Sequence, residues 1–587
     1  MDEGARNPQS TTSGSTTSGE DFVPFSQMGS LAIQNDVAPA HGEMGDNEDR
    51  SEDVAIAWDS LPTHQASRSD WRHFENFFNA DHYQHVDNSH NLNSHQFLLL
   101  WSRWYAMQEP GRHPEAFNKL PPVRTGNEIL GPSKSVVSAH DLDEDECNFQ
   151  GFNWAKLRTT SSSVREARRK TYIHKTNTKS NEERQDSLHR SPPFTGPNAS
   201  SRVRRLMNSI GLGWAREIRR YDNHFRFRRM FLENKPHLAH FQLRNMISAS
   251  SRNAVFYAEE SSVKLLNPLT GNSHDVMDVT PWYRPILRGR ITTLTASDGF
   301  LIVGGWNGQY AIKSLLSEDD NTWTEGLLPQ MADASINHIH TFLHRQSQTP
   351  HAAISSNDEH IRIIDCSTNT TIQTTKLNAA VNCSVTSPDG RLRLIVGDQT
   401  EPWILSADSG ALLVRLPNHR DYGFACDWAA DGVHAATGNQ DGMVQIWDSR
   451  NWARPLQVLS TELSGVRAMQ FSPLGSGRRV LAMAEPADLV HVVDAERFES
   501  EQRFEFLGEI GGLSFEPGGR RLYVGITDWL CGGIVEFERA GEGEKYGMAR
   551  PKGEEWTVDE ERVDDGLLMQ SERERKRRGI GLGDVMI

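Results

Sequence analysis

The sequence predicts an all-β fold: a β-propeller of seven four-stranded blades that follows a largely disordered, partly helical N-terminal extension. Three observations predict it. A complete blade pattern lies between His419 and Arg450, turn residues recur at a nearly constant interval from residue 238 onwards, and a short apolar run follows each of these turns. A repeat of about 40–45 residues is typical of four-stranded propeller blades.

The complete pattern consists of four residues at a characteristic spacing. Thr437, Asp441 and Trp447 follow His419 by 18, 22 and 28 residues. In a four-stranded blade, the His precedes the first strand, the Thr lies on the second, the Asp lies in the next turn and the Trp lies on the third strand. We expect the imidazole to bond the carboxylate and the hydroxyl, while the indole N–H donates to that hydroxyl. The Trp-Asp dipeptide that begins at Trp447 marks this segment as a WD40 blade.

The other blades are degenerate but keep the interval. Equivalent turns between the second and third strands fall near Glu260, Asn307, Asp358, Thr400, Ala487 and Asp528. With Asp441 included, successive landmarks are 47, 51, 42, 41, 46 and 41 residues apart. The third-strand runs beside them are VKLLNP, YAIKS, IRIID, WILSAD, VQIWD, VHVVD and IVEFER. These landmarks assign residues 236–540 to the propeller.

The remaining parts of the chain differ in composition. Residues 1–50 are acidic and rich in Ser and Thr, and residues 541–587 form a charged tail, so both are predicted to be disordered. Residues 51–140 are dense in aromatic side chains. They are expected either to pack on the propeller or to fold on contact with a partner. Four histidines in this segment, at 82, 85, 90 and 95, lack the ligand pattern of a metal site.

Residues 141–235 form a basic extension with a linker. Between residues 156 and 229 there are 19 Lys and Arg against 6 Asp and Glu, although the whole chain has a net charge of −16. Within this extension, Phe225 and Phe227 alternate with Arg226 and Arg228, which is typical of a strand. This strand is a candidate for the outer strand that completes the last blade.

Cysteine usage indicates a reducing compartment. Cys147, Cys366, Cys383, Cys426 and Cys531 are scattered without a CxxC pair, which argues against a disulfide framework or a cysteine zinc site. The acidic N-terminus does not resemble a signal peptide, and no run of about 18 apolar residues predicts a membrane span. We expect a cytoplasmic or nuclear location. The run RERKRR at 573–578 leaves nuclear import open.

Several strings together resemble a family of largely uncharacterised WD-repeat proteins found in fungi and plants. These strings are CNFQGFNWAKLR, HFQLRNMISA, GNQDGMVQIWDSRNW, VLAMAEPADLVHVVD and FLGEIGGLSFEPGG. The resemblance covers roughly 147–175 and 222–540, and its most specific part is MAEPAD. It implies a propeller with a basic N-terminal extension and no known enzymatic activity.

The sequence contains no pattern that predicts catalysis. GxSxG, HExxH and GxxxxGK[ST] are not found, and His419 and Asp441 are assigned to the buried network of a blade. GIGLGD at 579–584 imitates a dinucleotide-binding loop, but no strand precedes it. We therefore predict a non-enzymatic protein-interaction scaffold without cofactor or metal.

The predicted partner site lies on the top face of the ring, where the turns between second and third strands emerge. Side chains next to these turns and after the blade histidine are expected to project there: Trp306, Asn357, Gln440, Trp529 and Tyr422. Exposed aromatic residues are favoured anchors at interfaces. The alternative is that the N-terminal extension covers Trp306 and Trp529.

Two further functions stay open as alternatives. The box Trp-Asp-Ser-Arg ending at Arg450 resembles the element through which some WD40 proteins dock to the adaptor of cullin-4 ubiquitin ligases. The basic stretch has the cations and aromatic residues that nucleic-acid binding uses: Arg204, Arg205, Arg219, Arg220, Arg226, Arg228 and Arg229 with Trp214, Tyr221 and Phe225. Because the propeller and the first 70 residues are acidic, we favour intramolecular pairing, or contact with an acidic protein, over nucleic acid.

Overall fold

The computed structural model describes residues 135–143, 148–154, 160, 164–165, 168–169, 220–282, 290–317, 322–329, 334–528 and 531–540. All of them belong to the compact unit Asp59–Ile587, and the other unit, Met1–Trp58, lies outside the described residues. The predictions for residues 1–50 and 541–587, for nearly all of 51–140 and for Trp529 also lie outside them.

The described elements before the first complete sheet are short. They are β1 (Val136–Ser138), the helix α1 (Ala139–Asp143), β2 (Arg220–Tyr221) and β3 (Phe225–Phe231).

Five antiparallel four-stranded sheets then follow in chain order. Sheet 1 is β4 (Ile247–Ser251), β5 (Ala254–Glu259), β6 (Ser262–Leu266) and β7 (Ser273–Asp278), followed by a 3-10 turn at Thr280–Trp282. Sheet 2 is β8 (Ile291–Ser297), β9 (Phe300–Gly305), β10 (Gln309–Ser314) and β11 (Thr324–Leu327). Sheet 3 is β12 (Ile336–Leu343), β13 (Pro350–Ser356), β14 (His360–Asp365) and β15 (Thr370–Lys376). Sheet 4 is β16 (Val381–Thr386), β17 (Leu392–Gly397), β18 (Trp403–Ser406) and β19 (Leu412–Arg415). Sheet 5 is β20 (Gly423–Trp428), β21 (His434–Asn439), β22 (Met443–Asp448) and β23 (Gln457–Ser460).

The last two sheets share one long strand. They contain β24 (Ala468–Phe471), β25 (Val480–Ala484), β26 (Ala487–Asp494), β27 (Ser500–Phe515), β28 (Arg521–Ile526) and β29 (Gly533–Arg539). Residues 501–509 of β27 pair with β26 and complete sheet 6, whereas residues 510–515 pair with β28 and begin sheet 7. The fourth strand of sheet 7 is β3, which pairs antiparallel with β29.

The first strands of the sheets pack against one another in a cycle. β4 packs on β8, and the order continues through β12, β16, β20, β24 and β27, which packs back on β4. Apolar clusters of described residues lie between neighbouring sheets, including one between sheets 7 and 1 that contains Phe231, Ile247 and Tyr523. The predicted class, an all-β propeller of four-stranded blades, is confirmed. The cyclic packing supports the predicted number of seven.

The predicted outer strand is present, and its register follows the alternation in the sequence. Phe225 is fully buried and Phe227 is 9% exposed, while Arg226 and Arg228 keep partial exposure. Because β3 belongs to sheet 7, the propeller begins before residue 236, where the sequence had placed its boundary. The Phe–Arg alternation at 225–228 marks the first propeller strand better than the predicted boundary at residue 236. The backbone of this segment pairs with β29, and its aromatic rings are buried.

Neighbouring sheets are tied together by a repeated bulge near the start of the first strand. The pairing of first and second strands shifts register at Thr292, Asn337 and Asn382. Each of these side chains donates to a carbonyl of the next sheet: Thr292 Oγ1 to Ile336 O at 2.6 Å, Asn337 Nδ2 to Val381 O at 3.0 Å, and Asn382 Nδ2 to Gly423 O at 2.9 Å. Because these groups are buried, the bonds fix how the sheets sit side by side.

Candidate functional site on the top face

The top face is the end of the propeller where each second strand ends and each third strand begins. In an antiparallel four-stranded sheet, the loop that enters the next sheet emerges at this same end. The sequence landmarks for these turns agree with the structure, since Glu260, Asn307, Asp358, Thr400, Asp441 and Asp528 lie between the second and third strands, and Ala487 is the first residue of β26.

The predicted network of sheet 5 has every expected contact. His419 Nδ1 lies 3.0 Å from Asp441 Oδ2, and His419 Nε2 lies 2.9 Å from Thr437 Oγ1. Trp447 Nε1 donates to the same Thr437 hydroxyl at 3.0 Å. Thr437 and Trp447 are fully buried, and the side chain of His419 has no exposed surface. The buried imidazole therefore ties the entry to β20 to the second strand and the following turn of sheet 5.

The network also positions the loop before β20. Arg420 N donates to Asp441 Oδ2 at 2.9 Å, and Asn439 Nδ2 donates to Asp421 O at 2.7 Å. Tyr422 continues this loop, and its carbonyl accepts a hydrogen bond from Gln440 N at 2.8 Å. The Tyr422 backbone is therefore held on the top face before any partner binds.

Sheet 6 holds its entry loop with a buried glutamate, which was not predicted from the sequence. The carboxylate of Glu485, which is fully buried, accepts backbone N–H bonds from Glu462, Leu463 and Ser464 at 2.6–2.7 Å. His491 Nε2 lies 2.9 Å from the same carboxylate. Burial lowers the pKa of His491, but its hydrogen bonds and proximity to Glu485 and Glu501 outweigh this and raise it to about 9. The MAEPAD string thus supplies a carboxylate that holds the preceding loop, as Asp441 does in sheet 5.

The N-terminal extension forms a strap over the top face of sheets 6 and 7. The strap comprises the described residues 148–154, 164–165 and 168–169. Gln150 is 1% exposed and donates from Nε2 to Leu507 O at 2.8 Å and to Cys531 O at 3.2 Å. Leu507 N donates back to Gln150 Oε1 at 2.7 Å. These three bonds place Gln150 between the entry loop and the turn of sheet 7.

Arginines of the strap pair with carboxylates of sheet 6. Arg165 lies 2.7 Å from Glu505, and Arg169 lies 2.8 Å from Glu462. Arg168 donates to Asp488, which also accepts a hydrogen bond from Gly508 N. The MAEPAD string therefore has a second role, because its aspartate, Asp488, anchors the strap.

The basic part of β3 is also paired with propeller carboxylates. Arg226 lies 3.1 Å from Glu538, Arg229 lies 2.6 Å from Glu536, and Arg228 lies 3.8 Å from both acids. Phe225 packs 5.9 Å from the ring of Phe515 and is not available for base stacking. For these described residues, intramolecular pairing explains the basic stretch, as the sequence reasoning favoured. Arg204, Arg205, Trp214, Arg219 and the side chains of Arg220 and Tyr221 lie outside the described residues.

Three predicted top-face residues keep some exposed surface. Trp306, Asn357 and Tyr422 are each half-buried. The ring of Trp306 lies 5.3 Å from His240, in the segment between β3 and β4, so this part of the chain covers one side of the indole. Burial, followed by the negative charges of Asp398 and Asp421, raises the pKa of Tyr422.

Gln440 does not point outward as expected. It is 7% exposed, and its Oε1 accepts a hydrogen bond from Arg467 at 2.9 Å. The guanidinium of Arg467 lies 3.7 Å from the centre of the Phe424 ring. The prediction that Gln440 projects from the rim is wrong, because Arg467 of the next loop holds its amide at the junction of sheets 5 and 6.

Arg450 lies at the opposite end of sheet 5, after the third strand. Its side chain is 72% exposed, and its guanidinium donates to both oxygens of Asp448 at 2.8 and 2.7 Å. Hydrogen bonds from Arg450 lower the pKa of Asp448 to about 2. The cation is accessible, and docking through it requires this ion pair to open or rearrange.

Within the described part of the chain, no group of three or more His, Cys, Asp or Glu side chains is placed to hold a metal ion. Among the same residues, no helix has the length and hydropathy of a membrane-spanning segment.

Comparisons with known proteins add the following. No family model matches the sequence. The chain is 24% identical over 317 residues to the uncharacterised protein C4G3.03 of Schizosaccharomyces pombe, and the match covers 50% of this chain and 86% of that protein.

Two solved structures are similar in fold. One is a chain of the mitotic checkpoint complex, with 18% identity, a TM-score of 0.44, and coverage of 55% of this chain and 93% of that chain. The other is the WD40 β-propeller domain of Doa1, with 14% identity, a TM-score of 0.43, and coverage of 54% and 97%. With the strand topology and the network around His419, the described residues form a WD40-type β-propeller.

Proposed function

We propose that this chain is a non-enzymatic protein-interaction scaffold, a seven-bladed propeller that binds a protein partner on the top face of sheets 3 to 5. The observation that carries the proposal is Tyr422, a half-buried aromatic side chain on a loop held rigidly by the His419 network. Membership in the family of WD-repeat proteins with the MAEPAD string is part of the same proposal.

The position of the strap supports a partner site on the top face of sheets 3 to 5, which we call the open sector. Gln150 and the strap arginines occupy the top face of sheets 6 and 7, and His240 covers part of Trp306 on sheet 2. Asn357 and Tyr422 keep exposed surface on sheets 3 and 5. A partner is therefore expected to contact this sector first.

The charge around Tyr422 favours a partner that carries positive charge. Burial raises the pKa of Asp398, whose carboxylate accepts a hydrogen bond from Asn382 at 2.9 Å. Asp398 and Asp421 both act on the Tyr422 phenol. A Lys or Arg side chain from the partner would pair with the Asp398 carboxylate, which is not fully buried, and lie on the aromatic ring. We therefore propose a partner segment that presents a basic residue.

Pre-organisation favours binding at this loop. The Tyr422 carbonyl bonds to Gln440 N, and Tyr422 N bonds to Asp421 Oδ1 at 2.8 Å. A loop that is already ordered loses less conformational entropy when a partner binds. Tyr422 fits the role of an anchor because it supplies a large contact area with few rotatable bonds.

The experiment is quantitative affinity purification with the tagged full chain in three forms: wild type, Tyr422→Ala and Leu316→Ala. Leu316 is a suitable control because it is 85% exposed and lies at the opposite end of sheet 2. We expect Tyr422→Ala to lose a salt-sensitive partner that Leu316→Ala retains. Recovery of the same proteins with both variants would contradict the proposed site.

A second candidate function is docking to the adaptor of cullin-4 ubiquitin ligases. The exposure of Arg450 at the end of the third strand of sheet 5 favours it. Because Arg450 and Tyr422 lie at opposite ends of the propeller, a receptor of this kind would hold its substrate on the top face and the ligase below. Purification of wild-type protein without the adaptor would remove this candidate.

A further inference from the structure

Two thiols meet where sheets 4 and 5 pack together. Cys383 lies on β16 and Cys426 on β20, which are the first strands of these sheets. Cys383 Sγ is 3.7 Å from Cys426 O, and Cys426 Sγ is 3.9 Å from Leu394 O. Cys383 Sγ therefore lies against the backbone of Cys426, and both residues are buried at 4–5% exposure. They belong to one apolar cluster with Trp447.

An imidazole from sheet 3 reaches the same place. His338 on β12 lies close enough to Cys383 for each group to shift the pKa of the other. The neighbouring Cys426, followed by the proximity of His338, lowers the pKa of Cys383 although burial opposes it. Burial and the neighbouring Cys383 raise the pKa of Cys426. The Nδ1 atom of His338 is buried and has no hydrogen-bond partner among the described residues.

We propose that Cys383 and Cys426 form a redox-active dithiol, which hydrogen peroxide converts to a disulfide that joins β16 to β20. The three side chains come from three consecutive sheets and adopt the order base, attacking thiol and resolving thiol. Cys366 offers a contrast within the chain, since it is buried in a different apolar cluster. Burial, with nearby carboxylates, raises its pKa to about 12.

The reaction has two steps. The Cys383 thiol first gives its proton to His338. The thiolate then attacks one oxygen of hydrogen peroxide, so that an S–O bond forms and the O–O bond breaks. The departing hydroxide takes the proton from His338 and leaves as water. Cys426 sulfur then attacks the sulfenic sulfur of Cys383, so that an S–S bond forms, the S–O bond breaks, and hydroxide leaves with the Cys426 proton as a second water. Two thiols lose two electrons in total, and one peroxide is reduced to two waters.

The disulfide would link two strands that approach the Tyr422 loop. Loss of the link by reduction restores the separate thiols, which suits a compartment where cysteines are mostly reduced. Because both thiols are buried, oxidation requires local opening and is expected to be slow compared with that of an exposed thiolate.

The test uses the full chain treated with hydrogen peroxide at neutral pH, alkylated without reductant and digested with trypsin. Cleavage after Lys376, Arg391, Arg420 and Arg450 releases the two cysteines on separate peptides, 377–391 and 421–450. We expect these two peptides to appear joined, at a mass two hydrogen atoms below their sum, and to separate after reduction. Cys366→Ser is expected to leave the joined peptide unchanged.

Two variants test the order of the steps. In Cys426→Ser, the resolving thiol is absent, so a sulfenic acid should accumulate on Cys383 and be trapped by dimedone. In His338→Gln, the joined peptide should form more slowly at equal peroxide, while circular dichroism verifies the fold. The proposal is overturned if the native protein keeps both thiols free at peroxide levels that oxidise its methionines. It is equally overturned if Cys383 pairs with Cys366 or Cys531 as often as with Cys426.

Discussion

Replacement of Gln150 by Ala is expected to loosen the strap without unfolding the propeller. The side chain is 1% exposed and makes three hydrogen bonds, two to the carbonyls of Leu507 and Cys531 and one from Leu507 N. A buried hydrogen bond contributes about 0.5–1.5 kcal/mol net, and three of them give a local loss of about 2–4 kcal/mol. Leu507 N and the Cys531 carbonyl would lose the Gln150 bond, whereas Leu507 O would keep the hydrogen bond from Cys531 Sγ at 3.3 Å.

The assay is hydrogen exchange of the native full chain, read by mass spectrometry on peptides that contain Leu507. Local exchange is preferable to a melting curve because a long repeat structure need not unfold in two states. We expect exchange at Leu507 to accelerate by roughly 30-fold or more for a loss of about 2 kcal/mol, while peptides from sheets 2 and 3 stay unchanged. Gln150→Glu is the matched variant, since its carboxylate can still accept from Leu507 N but repels both carbonyls. Unchanged exchange at Leu507 in both variants would refute the role given to Gln150.

The other predictions concern the network, the pH dependence, the lower rim and the outer strand. Trp447→Ala should destabilise sheet 5 by about 3–5 kcal/mol, because a fully buried indole and the donor to Thr437 are both lost, and a melting curve equal to wild type would disprove this. The pKa of His491 is raised to about 9 from an ordinary value near 6.5. Its stabilising contribution is therefore fully present below about pH 6.5 and is lost as the pH rises through about 9. The free energy of unfolding of His491→Gln, measured with denaturant, should depend less on pH across this window than that of wild type. Arg450→Ala should leave the melting temperature unchanged, since exposed ion pairs contribute little, but should abolish recovery of the cullin-4 adaptor if that docking exists. Deletion of residues 222–232 should lower the melting temperature of a 200–540 fragment, because it removes β3 and its pairing with β29. An unchanged melting temperature, together with loss of salt-sensitive RNA or DNA binding, would instead favour the nucleic-acid alternative.

Features that depend on short stretches of sequence were predictable. The network of His419, Thr437 and Trp447 was predicted because all members lie within one blade, where strand lengths dictate the spacing. The outer strand at Phe225 was predicted because alternation of Phe and Arg selects one buried face, whichever sheet it joins.

Features that depend on distant or replaced partners were not predictable. Gln150 donates hydrogen bonds to Leu507 and Cys531, which lie 357 and 381 positions further along the chain. No local feature of the sequence indicates these contacts. Glu485 holds the loop that enters its sheet, as Asp441 does in sheet 5. Most of its hydrogen bonds come from backbone N–H groups of that loop rather than from a histidine. Gln440 was expected to project outward from its place beside a turn, but its true partner, Arg467, lies on a loop of the next sheet.

Binding at Tyr422 is the central claim, and a single titration tests it most directly. Once a partner has been recovered with wild-type protein, its affinity is measured for wild type, Tyr422→Ala, Tyr422→Phe and Leu316→Ala by calorimetry at two salt concentrations. We expect Tyr422→Ala to weaken binding at least tenfold, and Tyr422→Phe to bind nearly as wild type because the ring is kept. Affinity should fall with salt, because a basic side chain of the partner meets Asp398. Equal affinity for Tyr422→Ala and wild type would show that the partner binds elsewhere on the protein.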